Sequence, residues 1–234
     1  MRVEIWSDVV CPWCYIGKAR FEKGLAAFTG RDGVEVVHRS FELDPRTPRG
    51  GTRTVAEGLK AKYGVGDEQL RAMEARVGDA AAAEGLGMLH DRLATGTFDL
   101  HRVLHLARER GLQETLLDAL YRAHFAEARP VGEDETLVEV AAGAGLDTDE
   151  VRAVLADASA YADAVRADER EAAELGITAV PFFVIDRRYG ISGGQPATVF
   201  TQALEQASAA AGLQVVGQDG DGDAACADGA CEVP

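Results

Sequence analysis

Residues 8–17 read DVVCPWCYIG, with two cysteines, Cys11 and Cys14, on either side of a Pro-Trp pair. The stretch before them, Val3-Glu-Ile-Trp, alternates like a short strand. In the stretch after them, Ile16, Ala19, Phe21, Leu25 and Phe28 are spaced roughly as one face of a helix. Pro12 suits the first position of that helix, where its missing N–H has no intrahelical partner to lose. Cys11 therefore falls at the helix N-terminus, where free N–H groups and the helix dipole favour an anion. In comparable CxxC sites a thiol is depressed to ~3.5–7. Holding Cys11 as thiolate stabilises the reduced pair and makes its disulfide a better oxidant. Cys14, one turn along, is expected to lie shielded by the helix and to attack a mixed disulfide formed on Cys11.

Working outward, Gly30 and Gly33 end the helix and Val34–Phe41 reads as a second strand, so residues 1–44 form a β-α-β unit that implies a parallel pair. PRTPRGGTRT at 45–54 is a polar connection. Helical patterning then fills almost everything to residue 174, over 54–63, 67–84, 98–110, 113–128, 133–142, 148–155 and 159–174. Strands return at PFFVID, 181–186, and YGIS, 189–192, and a last helix spans 197–211. Neither outer piece completes a sheet alone. The economical architecture is one mixed α/β sheet built from 1–44 and 175–212, with 45–174 as an inserted helical domain and 213–234 as a flexible tail.

Bulk composition narrows the function. At 234 residues the chain can bury a core without staples. A formal net charge of -15 argues against nucleic acid as a partner, because no basic surplus exists to neutralise phosphates, and it disfavours an anionic membrane. No run approaches the ~18 apolar residues of a spanning helix, and Met1 leads straight into strand pattern without a signal-peptide core. A cytoplasmic location is expected, where stable structural disulfides are uncommon.

Cys226 and Cys231 are the other two cysteines, spaced C-x4-C near the C-terminus. All four could in principle form an all-thiolate zinc site, but a C-x4-C in a Gly/Asp-rich tail and a helix start at Pro12 fit such a site poorly. The second stretch that bears on the choice is GITAVPFFVI, 176–185. Alone, its Val-Pro step reads as an ordinary edge-strand proline.

Taken together, DVVCPWCYIG, FDLHRVLHLA at 98–107, GITAVPFF and ISGGQP resemble the DsbA family of the thioredoxin superfamily, and within it the cytoplasmic FrnE-type branch. The resemblance runs to about residue 212 and implies a thioredoxin fold split by a large helical insertion. It implies a thiol–disulfide oxidoreductase acting on cysteine-containing proteins or peptides and small-molecule thiols. Cys11 and Cys14 would be catalytic, and Pro181 would be a cis-proline facing them. Val180 would offer its backbone to an extended substrate, with Pro12, Trp13 and His101 as further substrate contacts. No cofactor or metal is implied, although glutathione could serve as co-substrate. Relatives on this scaffold include glutathione-dependent transferases and 2-hydroxychromene-2-carboxylate isomerases, which typically carry serine at the position of Cys11. A zinc-binding or holdase protein is the non-enzymatic alternative.

Cys226 and Cys231 are similar to C-x4-C extensions of some FrnE-type proteins and form a candidate second redox pair relaying electrons to or from Cys11–Cys14; incidental thiols on a dispensable tail are the other reading. Asp219, Asp221 and Asp223 fail as a calcium loop, since Ala224 and Ala230 stand where Gly and Glu are needed. His101 and His105 share a helix face as metal ligands can, but no third ligand is apparent, and partly buried histidines are the commoner outcome.

Overall fold

The computed structural model describes residues 1–211; the expected tail, with Cys226 and Cys231, lies outside the described residues. Strand β1 (Arg2–Ser7) passes through the cysteine turn into α1 (Pro12–Ala27), and the chain returns as β2 (Glu35–Ser40). β2 pairs with β1 in parallel from Arg2↔Glu35 to Ser7↔Ser40. On the other side of β1 lies antiparallel β3 (Phe182–Ile185), followed by β4 (Tyr189–Ser192), giving the order β2-β1-β3-β4. One sheet is thus assembled from both ends of the chain. Asp186 and Arg187, in the β3–β4 turn, have φ of 48° and 56°, as a tight right-twisted hairpin needs. Asp186 Oδ1 accepts the Arg2 N–H at 2.6 Å and ties that turn to β1.

Period-two alternation sorts β1 and β3 between two cores. Val3, Ile5, Phe183 and Ile185 face α1 and the last helix, α9 (Ala197–Ala211), packing with Phe21, Phe200 and Leu204. Gly24 allows α1 and α9 to approach: a Cβ there would lie 2.6 Å from the Ala197 carbonyl oxygen and 2.7 Å from the Phe200 Cβ.

Between β2 and β3 run α2 (Val55–Tyr63), α3 (Asp67–Ala83), α4 (Phe98–Glu109), α5 (Gln113–Tyr121), α6 (Asp134–Gly143), α7 (Thr148–Ala156) and α8 (Ala162–Glu174). The helix expected over 113–128 is α5 followed by a π turn, Arg122–Ala126. The one expected from 159 begins at 162, because Tyr161 sits in the left-handed region at φ 59°. Helix α4 is the spine of this insertion: every residue from Leu100 to Ala107 is buried, the mark of a helix enclosed on all sides. Its core includes Leu116, Leu120, Phe125, Leu137 and Val151, and continues without a break into Val9, Cys11 and Cys14. The insertion and the cysteine turn therefore share one core.

The second sheet face, with Trp6, Val184 and Ile177 against Ala172 of α8, carries buried charge. Glu4 is 2 % exposed and is held by Arg39 and Arg187. Asp168, from α8, accepts from Arg39 Nη1 (2.8 Å) and the Ser40 N–H (2.9 Å), and lies 3.2 Å from His105 Nε2. Trp6 Nε1 donates to the Asp168 carbonyl at 2.9 Å. Burial pushes the Asp168 carboxyl up, but His105, the Ser40 N–H and Arg39 together hold it below the usual carboxylate range. A folded value below the unfolded one gives stability that is present above about pH 3.9 and lost as pH falls through the lower folded value. Asp168→Asn is expected to cost about 1–3 kcal/mol at neutral pH by removing the charge that faces His105 and half-buried Arg39, which keeps Glu4. Urea unfolding is the measurement, and the gap from wild type is expected to close as pH drops below about 4.

Candidate active site

Cys11 is the N-cap of α1, with extended backbone (φ −86°, ψ 113°), and Pro12 is the first helical residue. The Cys14 and Tyr15 N–H groups donate to the Cys11 carbonyl at 3.0 and 3.2 Å, so the two cysteines span the first turn. Both are free thiols. Cys14 is 1 % exposed and Cys11 only 4 %, so the expected contrast between an open and a shielded sulfur is small in area. Burial pushes the Cys14 thiol well up, and its neighbour Cys11 adds to the effect.

The Val180–Pro181 peptide is cis, and this loop faces the cysteines as the resemblance implied. The Cys11 thiol donates to the Val180 carbonyl at 3.7 Å. Val180 is half-buried and packs with both the helical core and the Trp6 face. The Pro181 carbonyl accepts the Gly193 N–H at 2.8 Å, which brings the Ser192-Gly-Gly-Gln195 turn against the first turns of α1. Pro12 and Trp13 are half-buried at the helix start, Trp13 packing on the helical core. Among the expected site residues, Cys11, Cys14, Pro12, Trp13, Val180 and Pro181 thus converge on one place.

His101 is the exception. It is 2 % exposed, so in this conformation it offers no surface to a substrate; its Nε2 instead lies 3.6 Å from Asp8 Oδ1. His105 faces Asp168 and Ser40 Oγ (3.1 Å). The two histidines therefore do not converge on a common ion. Among the described residues, no group of three or more His, Cys, Asp or Glu is arranged to hold a metal, and no helix is long and apolar enough to cross a membrane.

Residues 2–205 match the DSBA-like thioredoxin domain family. The chain belongs to that family, and with it to disulfide oxidoreductase chemistry in general. A probable DsbA oxidoreductase from Streptomyces coelicolor is 61 % identical, with a TM-score of 0.88, covering 100 % of this chain and 99 % of its own. Two more distant structures share the DSBA-like fold alone. One is a 2-hydroxychromene-2-carboxylate isomerase (14 % identity, TM-score 0.66, 88 % and 95 % of the two chains). The other is the cytosolic disulfide reductase DsbM of Pseudomonas aeruginosa with GSH (21 %, 0.60, 88 % and 98 %).

Three residues of this DSBA-like site escaped the sequence reading. Asp8 is 1 % exposed; its Oδ2 accepts the Leu43 N–H at 2.8 Å and its carbonyl accepts the Cys11 N–H at 3.1 Å. Tyr121 is buried beside the cysteines and against Tyr15, their ring centroids 5.4 Å apart. Gly17 lies under the cis-proline: a Cβ there would meet Pro181 Cγ at 2.9 Å and Gly194 Cα at 3.2 Å. Only Gly17 left a trace, as a glycine inside a helical pattern, where a close approach is one of the usual reasons. Gly17→Ala is expected to cost about 1–3 kcal/mol by overpacking, read by denaturant titration. It is also expected to lower disulfide turnover, whereas an unchanged rate would show that the Pro181 loop tolerates displacement.

Proposed function

We propose that this protein exchanges disulfides with cysteine-containing proteins or peptides through the CPWC dithiol, with Cys11 as nucleophile and Cys14 as resolving thiol. The observation that carries this reading is the contact of the Cys11 thiol with the Val180 carbonyl at the start of α1. It sets the sulfur at a helix N-terminus, which favours a thiolate, and beside the one backbone group that an extended substrate would pair with.

In the reducing direction, the Cys11 thiolate attacks one sulfur of a substrate disulfide. That S–S bond breaks, a Cys11–substrate disulfide forms, and the departing thiolate takes up a proton. Cys14 then gives up its proton and attacks Cys11 Sγ, releasing the second substrate thiol and leaving Cys11–Cys14 oxidised. Two electrons have passed to the substrate; oxidation of a substrate dithiol is the reverse. The high proton affinity of Cys14 suits this order, because Cys14 stays protonated until the mixed disulfide is in place. Cys226 and Cys231 form the second pair of this proposal, exchanging with Cys11–Cys14, and glutathione is a candidate small-molecule co-substrate.

The test is a glutathione-buffered redox titration with thiol mapping. Wild type is expected to form a reversible Cys11–Cys14 disulfide, Cys11→Ser none, and Cys14→Ser to accumulate a mixed disulfide on Cys11. If wild type forms no such bond and instead binds glutathione tightly without dithiol turnover, a glutathione-dependent isomerase or transferase replaces this reading. For the relay, replacing Cys226 and Cys231 by serine is expected to slow turnover with a protein dithiol severalfold. Unchanged turnover and potential would remove the tail pair from the pathway.

A further inference from the structure

Helix α4 carries two histidines one turn apart, each buried and each facing a buried aspartate, but only one of the pairs touches the cysteine turn. His105 faces Asp168 of α8, where Arg39 and the Ser40 N–H already serve that carboxylate. His101 faces Asp8, three residues before Cys11. Asp8 has two backbone donors, the Leu43 N–H at 2.8 Å and the Val10 N–H at 3.5 Å, and His101 is the cationic side chain placed against it. His101 Nε2 is itself buried and makes no hydrogen bond; Asp8 Oδ1, at 3.6 Å, faces it at ion-pair distance.

The carboxylates whose charge bears on His101 come from three segments: Asp8 before α1, Glu42 after β2 and Glu169 on α8. Arg166 Nη1 bridges Glu42 and Glu169 at 2.6 and 2.5 Å, whereas among the described residues no lysine or arginine pairs with Asp8. Burial works against a charge on His101, yet these three carboxylates carry its proton affinity above the ordinary histidine value. An imidazolium beside Asp8 makes a neutral pair next to the dithiol. Without it, the Asp8 carboxylate would act unopposed on both sulfurs, and its charge already bears on Cys14.

We infer that His101, carried by the helical insertion, is a positioning residue for the dithiol: it compensates Asp8 against the Cys11 turn and so sets how readily the Cys11–Cys14 disulfide forms. The inference rests on the dithiol reading above. Loss of the imidazolium makes a thiolate at Cys11 less favourable, which destabilises the reduced protein and makes the pair more reducing. Loss of the carboxylate does the opposite.

The experiment titrates wild type, His101→Gln, His105→Gln, Asp8→Asn and the Asp8→Asn/His101→Gln double variant in glutathione buffers at neutral pH. His101→Gln is expected to move the exchange constant about tenfold towards the disulfide, about 30 mV for this two-electron couple. Asp8→Asn is expected to move it the other way, and in that background His101→Gln should add less than half of its single effect. His105→Gln changes a histidine that is also buried and on the same helix face but meets a different aspartate. It is expected to lower stability while leaving the potential within twofold.

A His101→Gln potential within twofold of wild type overturns the inference, as does an equal shift in His105→Gln. If His101→Gln does not fold, Asp8→Asn decides, and an unmoved potential there overturns it. Absence of a reversible Cys11–Cys14 disulfide in wild type fails the dithiol reading itself, a distinct result.

Discussion

A carboxylate can be buried only where donors meet its oxygens and an opposite charge meets its own, and Asp8 is buried at the centre of this molecule. Its partners belong to three different parts of the chain. The Leu43 N–H comes from the segment that leaves β2 for the insertion, the Val10 N–H from the cysteine turn, and His101 from α4. The Asp8 carbonyl also receives the Cys11 N–H, fixing where α1 begins. Moving any one of these elements would strip the carboxylate of compensation inside a low-dielectric core. Sheet, cysteine turn and insertion are held in register by a constraint that each satisfies only in part.

Helix α1 is gripped from both sides on this foundation. On one side Tyr15 stacks on Phe125, centroids 5.0 Å apart and planes within 6°, and Lys18 pairs with Asp118 of α5 at 2.6 Å. On the other side Gly17 and Gly24 bring the helix flush against the Pro181 loop and α9. The aromatic contacts and the glycines do different work. The aromatics supply buried area, while the glycines remove the atoms that would hold α1 away from its neighbours. The dithiol at its first turn is consequently set by packing on two fronts, and the side chains around Cys11 must part before an incoming disulfide can replace its contact with Val180.

Much of this was legible in residue order. The β-α-β opening, the return of strands after residue 180 and the start of α9 at 197 all follow from alternation, proline placement and glycine breaks. CPWC read as a helix start because Pro12 and the apolar spacing agree. Pairings across the seam were not legible. HRVLH shows that His101 and His105 share a face, but nothing local says that one meets Asp8 and the other Asp168. The substrate-facing expectation for His101 came from the resemblance and not from that spacing, and in the structure both histidines are buried. Glu4 shows the same limit from the other side. Strand alternation marks its position as opposite to Val3 and Ile5, which for a charged residue suggests solvent. Only the tertiary placement of Arg39 and Arg187 lets it lie inside. Asp8 preceded the motif in plain view, yet a carboxylate beside cysteines reads as solvated until its burial is known.

The direction of electron flow then depends on two opposed electrostatic terms at the same turn. The N-terminus of α1 favours a thiolate at Cys11 and pulls the pair towards an oxidant. A carboxylate so near disfavours that thiolate and pulls the pair towards a reductant. Oxidants and reductants of this chemistry lie ~150 mV apart, about 7 kcal/mol, so a tenfold change from such an interaction, about 30 mV, covers about a fifth of that range. The compensating charge comes from the insertion rather than from the thioredoxin-like sheet. On this proposal, the helical insertion reaches the proposed redox pair itself through α4. A change in how α4 seats on the sheet would alter the chemistry without touching either cysteine.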